Sequence, residues 1–235
     1  MDNIIGILGG MGPAATVDAM NKMIMNTDAA KDQEHIPIIA FSIPDIPDRS
    51  ACILNHEPSP LSKLIQYTRL IENAGAKCLI IPCNTAHYWF DELKSATKME
   101  MISIIDTTLS VLIRNQIKKV GLLATDATVS SQLYSKKLLD NKITCILPTV
   151  EEQMDVMKSI YAYKAGNIEL AKELIEGVND SLLSKGVEKI IMGCTEIPLI
   201  LSEKINLNPG KYIDTTEELV KSAIRWYQDK SIKPI

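Results

Sequence analysis

The chain has 235 residues, enough for one large α/β domain or two smaller ones, and carries a net charge of −4. That charge argues against nucleic-acid or anionic-membrane binding, both of which need a basic patch. No apolar stretch approaches the roughly 20 residues that span a bilayer. The opening residues Met1–Leu8 lack a basic n-region, so the sequence reads as a cytoplasmic globular protein with no targeting segment.

The first predicted strand, Ile4–Leu8, runs into Gly9-Gly10-Met11-Gly12-Pro13-Ala14-Ala15. Gly10 to Ala15 fits the G-x-G-x-x-A variant of the dinucleotide fingerprint, which would make the chain a nicotinamide-dependent oxidoreductase. Pro13 removes one N–H from that turn, although a proline there can equally start a helix. The second strand, Pro37–Phe41, is followed by Ser42-Ile43-Pro44 with no acid to bind a ribose. Pro44 and Pro47 then stiffen a loop that carries Asp48 and Arg49, and a rigid guanidinium is a good carboxylate anchor.

Further on, Leu61, Leu64, Ile65, Thr68 and Ile71 mark one face of a helix. The third strand, Cys78–Ile81, leads into Cys83 and His87, and a fourth is expected over Ile102–Ile105. Val120–Leu123 and Ile143–Leu147 follow. After them Ile168, Ala171, Leu174, Ile175, Val178 and Leu182 mark a second helical face. The last strands are Ile190–Met192, which leads into Cys194, and Tyr212-Ile213. These runs are continuous rather than alternating, the pattern of strands covered on both faces of a parallel sheet. Strand–helix alternation throughout gives an α/β fold with right-handed crossovers.

The sequence also repeats. Gly75-Ala76-Lys77-Cys78-Leu79-Ile80-Ile81-Pro82-Cys83 aligns with Gly186-Val187-Glu188-Lys189-Ile190-Ile191-Met192-Gly193-Cys194. Ile5-Gly6-Ile7-Leu8 resembles Val120-Gly121-Leu122-Leu123, and Ile105-Asp106-Thr107-Thr108 matches Ile213-Asp214-Thr215-Thr216, each read as a strand end entering a helix cap. The matches predict two pseudo-symmetric α/β halves, residues 1–105 and 106–214, each a small parallel sheet flanked by helices. The last helix, 215–235, is expected to pack back on the first half.

Ligands of parallel sheets bind beyond the carboxyl ends of the strands, where Cys83 and Cys194 stand. If the halves face each other, the active site is the cleft between them, with the two thiols on opposite sides. Racemising a carbon requires removing a proton from one face and delivering one to the other, and two opposed acid/base groups are the minimum apparatus. A thiol suits the task because a helix N-terminus or a cation can lower its pKa. Asn84-Thr85 and Thr195-Glu196 follow the two cysteines at expected helix starts, where backbone N–H groups would hold a carboxylate. Cys78 and Cys145 lie within apolar strands and Cys52 beside a loop. The five cysteines, odd in number and without C-x-x-C spacing, suggest neither disulfides nor a zinc or iron–sulfur site.

With both cysteine loops in place, the chain resembles the aspartate/glutamate racemase family, and within it the aspartate racemase branch. The resemblance covers nearly the whole chain. It rests on Gly9-Gly10-Met11-Gly12-Pro13-Ala14-Ala15-Thr16, Ile46-Pro47-Asp48-Arg49 and Pro82-Cys83-Asn84-Thr85-Ala86-His87. In the second half it rests on Leu122-Leu123-Ala124-Thr125-Asp126, the Ile160–Gly166 segment with Lys164, and Gly193-Cys194-Thr195-Glu196-Ile197-Pro198.

The resemblance implies a homodimer that works without pyridoxal phosphate, metal or nucleotide on a small acidic amino acid, with Cys83 and Cys194 as the acid/base pair. It implies Arg49 and Lys164 as partners of the side-chain carboxylate or its surroundings. Asn84, Thr85, Thr125 and Thr195, with the backbone around Met11, would hold the α-carboxylate and amine. His87 could tune the Cys83 thiol or serve structurally, and Glu196 could orient its neighbours. Glutamate racemases proper carry a histidine after the second Cys-Thr pair and an aspartate-serine in the first loop. Glu196 and Gly9-Gly10 stand there instead, which favours aspartate or broad specificity. A maleate isomerase, a hydantoin racemase or a non-catalytic dicarboxylate-binding protein are the alternatives.

Overall fold

A computed structural model describes residues 3–231 and divides the chain into two units. One unit extends to Thr107 and takes up the chain again at Thr216; the other is Thr108–Thr215. The first boundary falls inside a helix, the second at the start of one.

The first unit contains β1 (Ile5–Gly9), α1 (Pro13–Met25), β2 (Ile38–Ser42), α2 (Arg49–Asn55) and α3 (Leu61–Asn73). These are followed by β3 (Cys78–Ile80), α4 (Phe90–Ser95), β4 (Glu100–Ile102) and the start of α5 (Ile104–Arg114). Its strands form a parallel sheet in the order β2-β1-β3-β4. Every residue of β1 and β3 is buried, as their uninterrupted apolar sequences require of central strands. α3 turns Leu64, Thr68 and Ile71 inward. The core gathers Leu8, Ile71, Leu79, Ile81, Trp89 and Leu93.

The second unit repeats the plan with β5 (Lys119–Ala124), α6 (Asp126–Ser130), α7 (Ser135–Asp140), β6 (Thr144–Ile146), α8 (Val150–Lys164) and α9 (Ile168–Ser184). β7 (Lys189–Gly193), α10 (Ile197–Ile200), α11 (Ser202–Leu207) and β8 (Tyr212–Asp214) complete it. The order β6-β5-β7-β8 is again parallel throughout. α8 begins with a capping box: the Thr149 hydroxyl accepts from Glu152 N–H at 3.2 Å, and the Glu152 carboxylate accepts from Thr149 N–H at 2.7 Å. The same carboxylate accepts from Ser181 and from Lys185 at 3.1 Å, which ties the start of α8 to the end of α9. The Ser181 bond first, and the Thr149 bond next, hold the Glu152 carboxyl down at about 2.

The final helix, α12 (Thr215–Ser231), buries Leu219, Val220, Ala223 and Ile224. Glu217 accepts from Asn26 at 3.2 Å and Lys230 pairs with Glu100 at 2.6 Å, both partners lying in the first unit.

The α/β class and the two parallel sheets flanked by helices match the sequence expectation, and all eight strands form. One expectation is corrected. The fourth strand ends at Ile102, and Ile104 and Ile105 already belong to α5. Strand pairing sets Ile80 opposite Ile102 and Ile191 opposite Ile213. The counterpart of Ile213 is therefore Ile102 rather than Ile105, so the match of Ile105-Asp106-Thr107-Thr108 to Ile213-Asp214-Thr215-Thr216 was three residues out of register. A continuous apolar run does not separate a buried strand end from a buried helix start. Among the described residues, no helix is long and apolar enough to cross a membrane.

Candidate active site

The glycine loop of the first unit is closed by short-range packing. Gly10 has φ +93°, and a β-carbon on it would lie 2.2 Å from the Ile43 nitrogen, so only glycine fits there. The Thr16 hydroxyl accepts from Gly10 N–H at 2.8 Å and donates to the Gly12 carbonyl at 3.1 Å, bracing the loop on the first turn of α1. Pro13 is the first residue of that helix. Met11 is buried, in the same packed cluster as Ile46 and Cys83.

Asp48 caps α2, its carboxylate accepting from Ala51 N–H at 2.8 Å. Arg49 follows as the first residue of the helix, buried, with Nη1 donating to the carbonyls of Ile46 and Pro47 at 3.0 Å each. The proline-stiffened loop therefore fixes the guanidinium through its own backbone.

Cys83 is buried three residues beyond the end of β3. Its carbonyl accepts from His87 Nδ1 at 2.8 Å, and His87 Nε2 accepts from Ile104 N–H at 3.0 Å. A carbonyl can only accept and an N–H can only donate, so the pair of bonds fixes a neutral ring protonated on Nδ1. The ring stacks on Phe90 at 5.3 Å. His87 thus links the Cys83 loop to the start of α5 through backbone groups. Asn84 and Thr85 are buried beside it. A 3-10 helix, Thr85–Trp89, leads from there into α4, rather than an α-helix that begins at the cysteine.

In the second unit Thr125 caps α6, its hydroxyl accepting from Thr128 N–H at 3.2 Å. The loop is held by a residue that the sequence reading missed. Gln153 Nε2 donates to the Ala124 carbonyl at 3.0 Å and to Asp126 Oδ1 at 2.7 Å. The capping box one residue earlier announces the helix, but nothing local in the sequence announces that distant target.

Cys194 follows β7 directly, buried, with Thr195 buried beside it. Its Sγ donates to Glu196 Oε2 at 3.0 Å, and Glu196 Oε1 lies 3.6 Å from Lys164 Nζ at the end of α8. Glu196 is 2% exposed. Burial and then the Glu196 charge push the Cys194 thiol well above its ordinary range, against the opposing pull of Lys164. Cys194, Glu196 and Lys164 thus form one linked array. Burial raises two further thiols as well, Cys78 to about 12 and Cys145 to about 11. All five cysteines are free. Among the described residues, no group of three or more His, Cys, Asp or Glu side chains is placed to hold a metal.

The profile of the Asp/Glu/hydantoin racemase family matches residues 8–223. An aspartate racemase of Picrophilus torridus superposes with a TM-score of 0.88 and 37% identity, over 96% of this chain and 94% of that one. The broad specificity amino-acid racemase RacX of Bacillus subtilis is 27% identical over 95% of this chain and 98% of its own length. A glutamate racemase of Francisella tularensis, solved with D-glutamate, shares the fold at 17% identity and a TM-score of 0.70, covering 100% of this chain and 84% of that one. These relationships displace the oxidoreductase and non-catalytic alternatives. The chain belongs to the Asp/Glu/hydantoin racemase family and is an amino-acid racemase, an isomerase.

Proposed function

We propose that the protein interconverts the enantiomers of an acidic amino acid, aspartate first among them, without a cofactor, through Cys83 and Cys194. The observation that carries this reading is the equivalence of the two thiols. Each is buried just beyond the third strand to be formed in a sheet of the same order. In the reaction a thiolate takes the α-proton and becomes a thiol. The second thiol then delivers its proton to the opposite face of the planar carbanion and is left as the thiolate. Glu196 accepts the Cys194 S–H, which favours Cys194 as the proton donor of the resting enzyme and leaves Cys83 as the first base.

Arg49 supports an acidic substrate. A guanidinium has five N–H donors, and with Nη1 committed to the loop, the Nε and Nη2 donors would serve a carboxylate. Lys164 adds a second positive charge beside Cys194, partly neutralised by Glu196. The 37% identity to an aspartate racemase favours aspartate. The similarity to a broad-specificity racemase supports wider use, with glutamate included. One methylene separates the two acids, a difference worth about 1–3 kcal/mol in selectivity.

The test is α-proton exchange in deuterated buffer. Reduced protein without added cofactor is incubated separately with L- and D-aspartate and with L- and D-glutamate, and followed by NMR and chiral chromatography. Exchange with inversion for one pair is the expected result and names the substrate. No exchange with any of the four would sink the acidic-amino-acid reading and move the hydantoin and maleate chemistries of the superfamily to the front.

A further inference from the structure

Thr125 and Cys194 leave the second sheet side by side. β5 and β7 stay paired as far as Ala124 and Gly193, so these two are the first residues beyond the paired ends, where parallel sheets meet their ligands. β6 stops earlier, its last residue Ile146 pairing with Gly121. The end of β5, Leu122–Ala124, therefore has a strand on one side only.

α8 takes over where β6 stops. Gln153 and Met157 are four residues apart, neighbours on one face of that helix. Gln153 Nε2 donates to the Ala124 carbonyl at 3.0 Å and to Asp126 Oδ1 at 2.7 Å, and Met157 Sδ accepts from Asp126 N–H at 3.3 Å. The residues before and after Thr125 are thus both held from α8, and Thr125 is bracketed between them. The Gln153 amide is turned wholly toward this loop: its Oε1 is buried and has no hydrogen-bond partner among the described residues. A buried acceptor left unpaired is destabilising, and such an exception calls for a functional explanation.

We propose that Gln153 is a positioning residue of the active site: through Ala124 and Asp126 it sets where Thr125 stands beside Cys194, and so sets the seat of the substrate. The proposal rests on the reading of Thr125 and Cys194 as residues that face the substrate. Gln153 acts without touching the substrate itself. It fixes a holding group rather than the acid/base thiol, so its effect falls on binding in the ground state and the transition state alike. A carboxylate in its place would face the Asp126 carboxylate and the Ala124 carbonyl with no hydrogen to offer, and would push the loop away.

The experiment compares Gln153→Glu, Gln153→Met, Asp126→Asn and the double variant Gln153→Glu/Asp126→Asn in steady-state racemisation, with folding followed by circular dichroism. The substrate is the amino acid that the wild type racemises fastest among the full proteinogenic set. A failure of aspartate and glutamate, which would sink the acidic reading, therefore leaves the comparison intact. Gln153→Glu should raise KM by about 10-fold or more while kcat stays within about 3-fold, and Gln153→Met, which lacks the repulsion, should do so less severely. Asp126→Asn keeps an acceptor for Gln153, so its KM should stay within about 3-fold of wild type. In the double variant the amide and the carboxylate exchange places and the bond re-forms with its direction reversed. KM should then fall at least about 3-fold below that of Gln153→Glu. Without any substrate, hydrogen exchange at the Thr128 amide, which the Thr125 hydroxyl caps, should quicken about 10-fold in Gln153→Glu and slow again in the double variant. A KM equal to that of wild type in both Gln153 variants overturns the inference, as does a fall in kcat alone. A raised KM that the double variant does not recover, with Thr128 exchange unchanged, also overturns it.

Discussion

Cys83 and Cys194 hold the same place on sheets of the same strand order, yet the groups around them differ in kind. Around Cys83 the structure invests in backbone. His87 receives an N–H from Ile104 and donates to the Cys83 carbonyl, so the ring is neutral and its nitrogens are spent on positioning. Around Cys194 it invests in charge. The sulfur donates to a buried carboxylate that is itself paired with an ammonium. A repeated fold thus keeps the position of a side chain while leaving its electrostatics free to diverge. In the proposed two-base reaction, that divergence would decide which thiol holds the proton between turnovers.

The largest test of this contrast removes the sulfurs. Cys83→Ser and Cys194→Ser should each lower racemisation by at least about 10³-fold, measured by polarimetry, while α-proton exchange from one enantiomer persists in each. Full racemisation by both single variants would refute the two-base assignment.

A sharper test separates charge from burial. Glu196→Gln should lower the Cys194 thiol towards its ordinary range, and Lys164→Met should raise it further, since these side chains act in opposite directions. The pH dependence of Cys194 alkylation, resolved by peptide mass spectrometry, reads both shifts. A fall in turnover of about 10–100-fold is expected for Glu196→Gln, within the span of general acid–base contributions. Equal alkylation profiles for the two variants would show that the array does not set the thiol.

On the other side of the comparison, His87→Phe leaves the Ile104 N–H and the Cys83 carbonyl without partners. It should destabilise the protein by about 2–5 kcal/mol in urea unfolding. If the variant unfolds like the wild type, the His87 link carries no stability.

The smallest effect concerns Cys78. Burial first, and then the Glu100 charge, raise its thiol from 9.0 to about 12 in the folded chain. The unfolded chain therefore releases that proton first. The stabilisation is complete below pH 9 and is lost as pH rises towards 12. Cys78→Ala lacks this term, so the stability gap between wild type and variant should narrow above pH 9. A gap that stays constant to pH 11 would show that Cys78 titrates normally.

Much of this architecture was legible in the residues because the signals are local. Eight apolar runs mark eight strands, and the paired Gly…Cys segments mark β3 and β7 with their loops. β4 was misplaced because Ile102–Ile105 is apolar across the strand end and the helix start alike. The Cys194 array was half legible. Glu196 lies two residues from the thiol in sequence, but Lys164 meets it from the end of α8, a contact between distant parts of the chain. Gln153 was missed because its acceptors, at the junction of β5 and α6, are likewise distant in sequence. The fixing of Arg49 was hidden differently, since its acceptors are the backbone carbonyls of Ile46 and Pro47, which every residue has.

The division of the chain has a consequence for biosynthesis. The first unit is built from two separated stretches, because α12 contributes Leu219, Val220 and Ile224 after the whole of Thr108–Thr215 has intervened. A ribosome therefore releases all of the second unit before the first has its last helix. The usual N-to-C order of domain completion is inverted. Until α12 emerges, the nascent first unit lacks the side chains that complete its core, and the apolar surface they cover stays open to water.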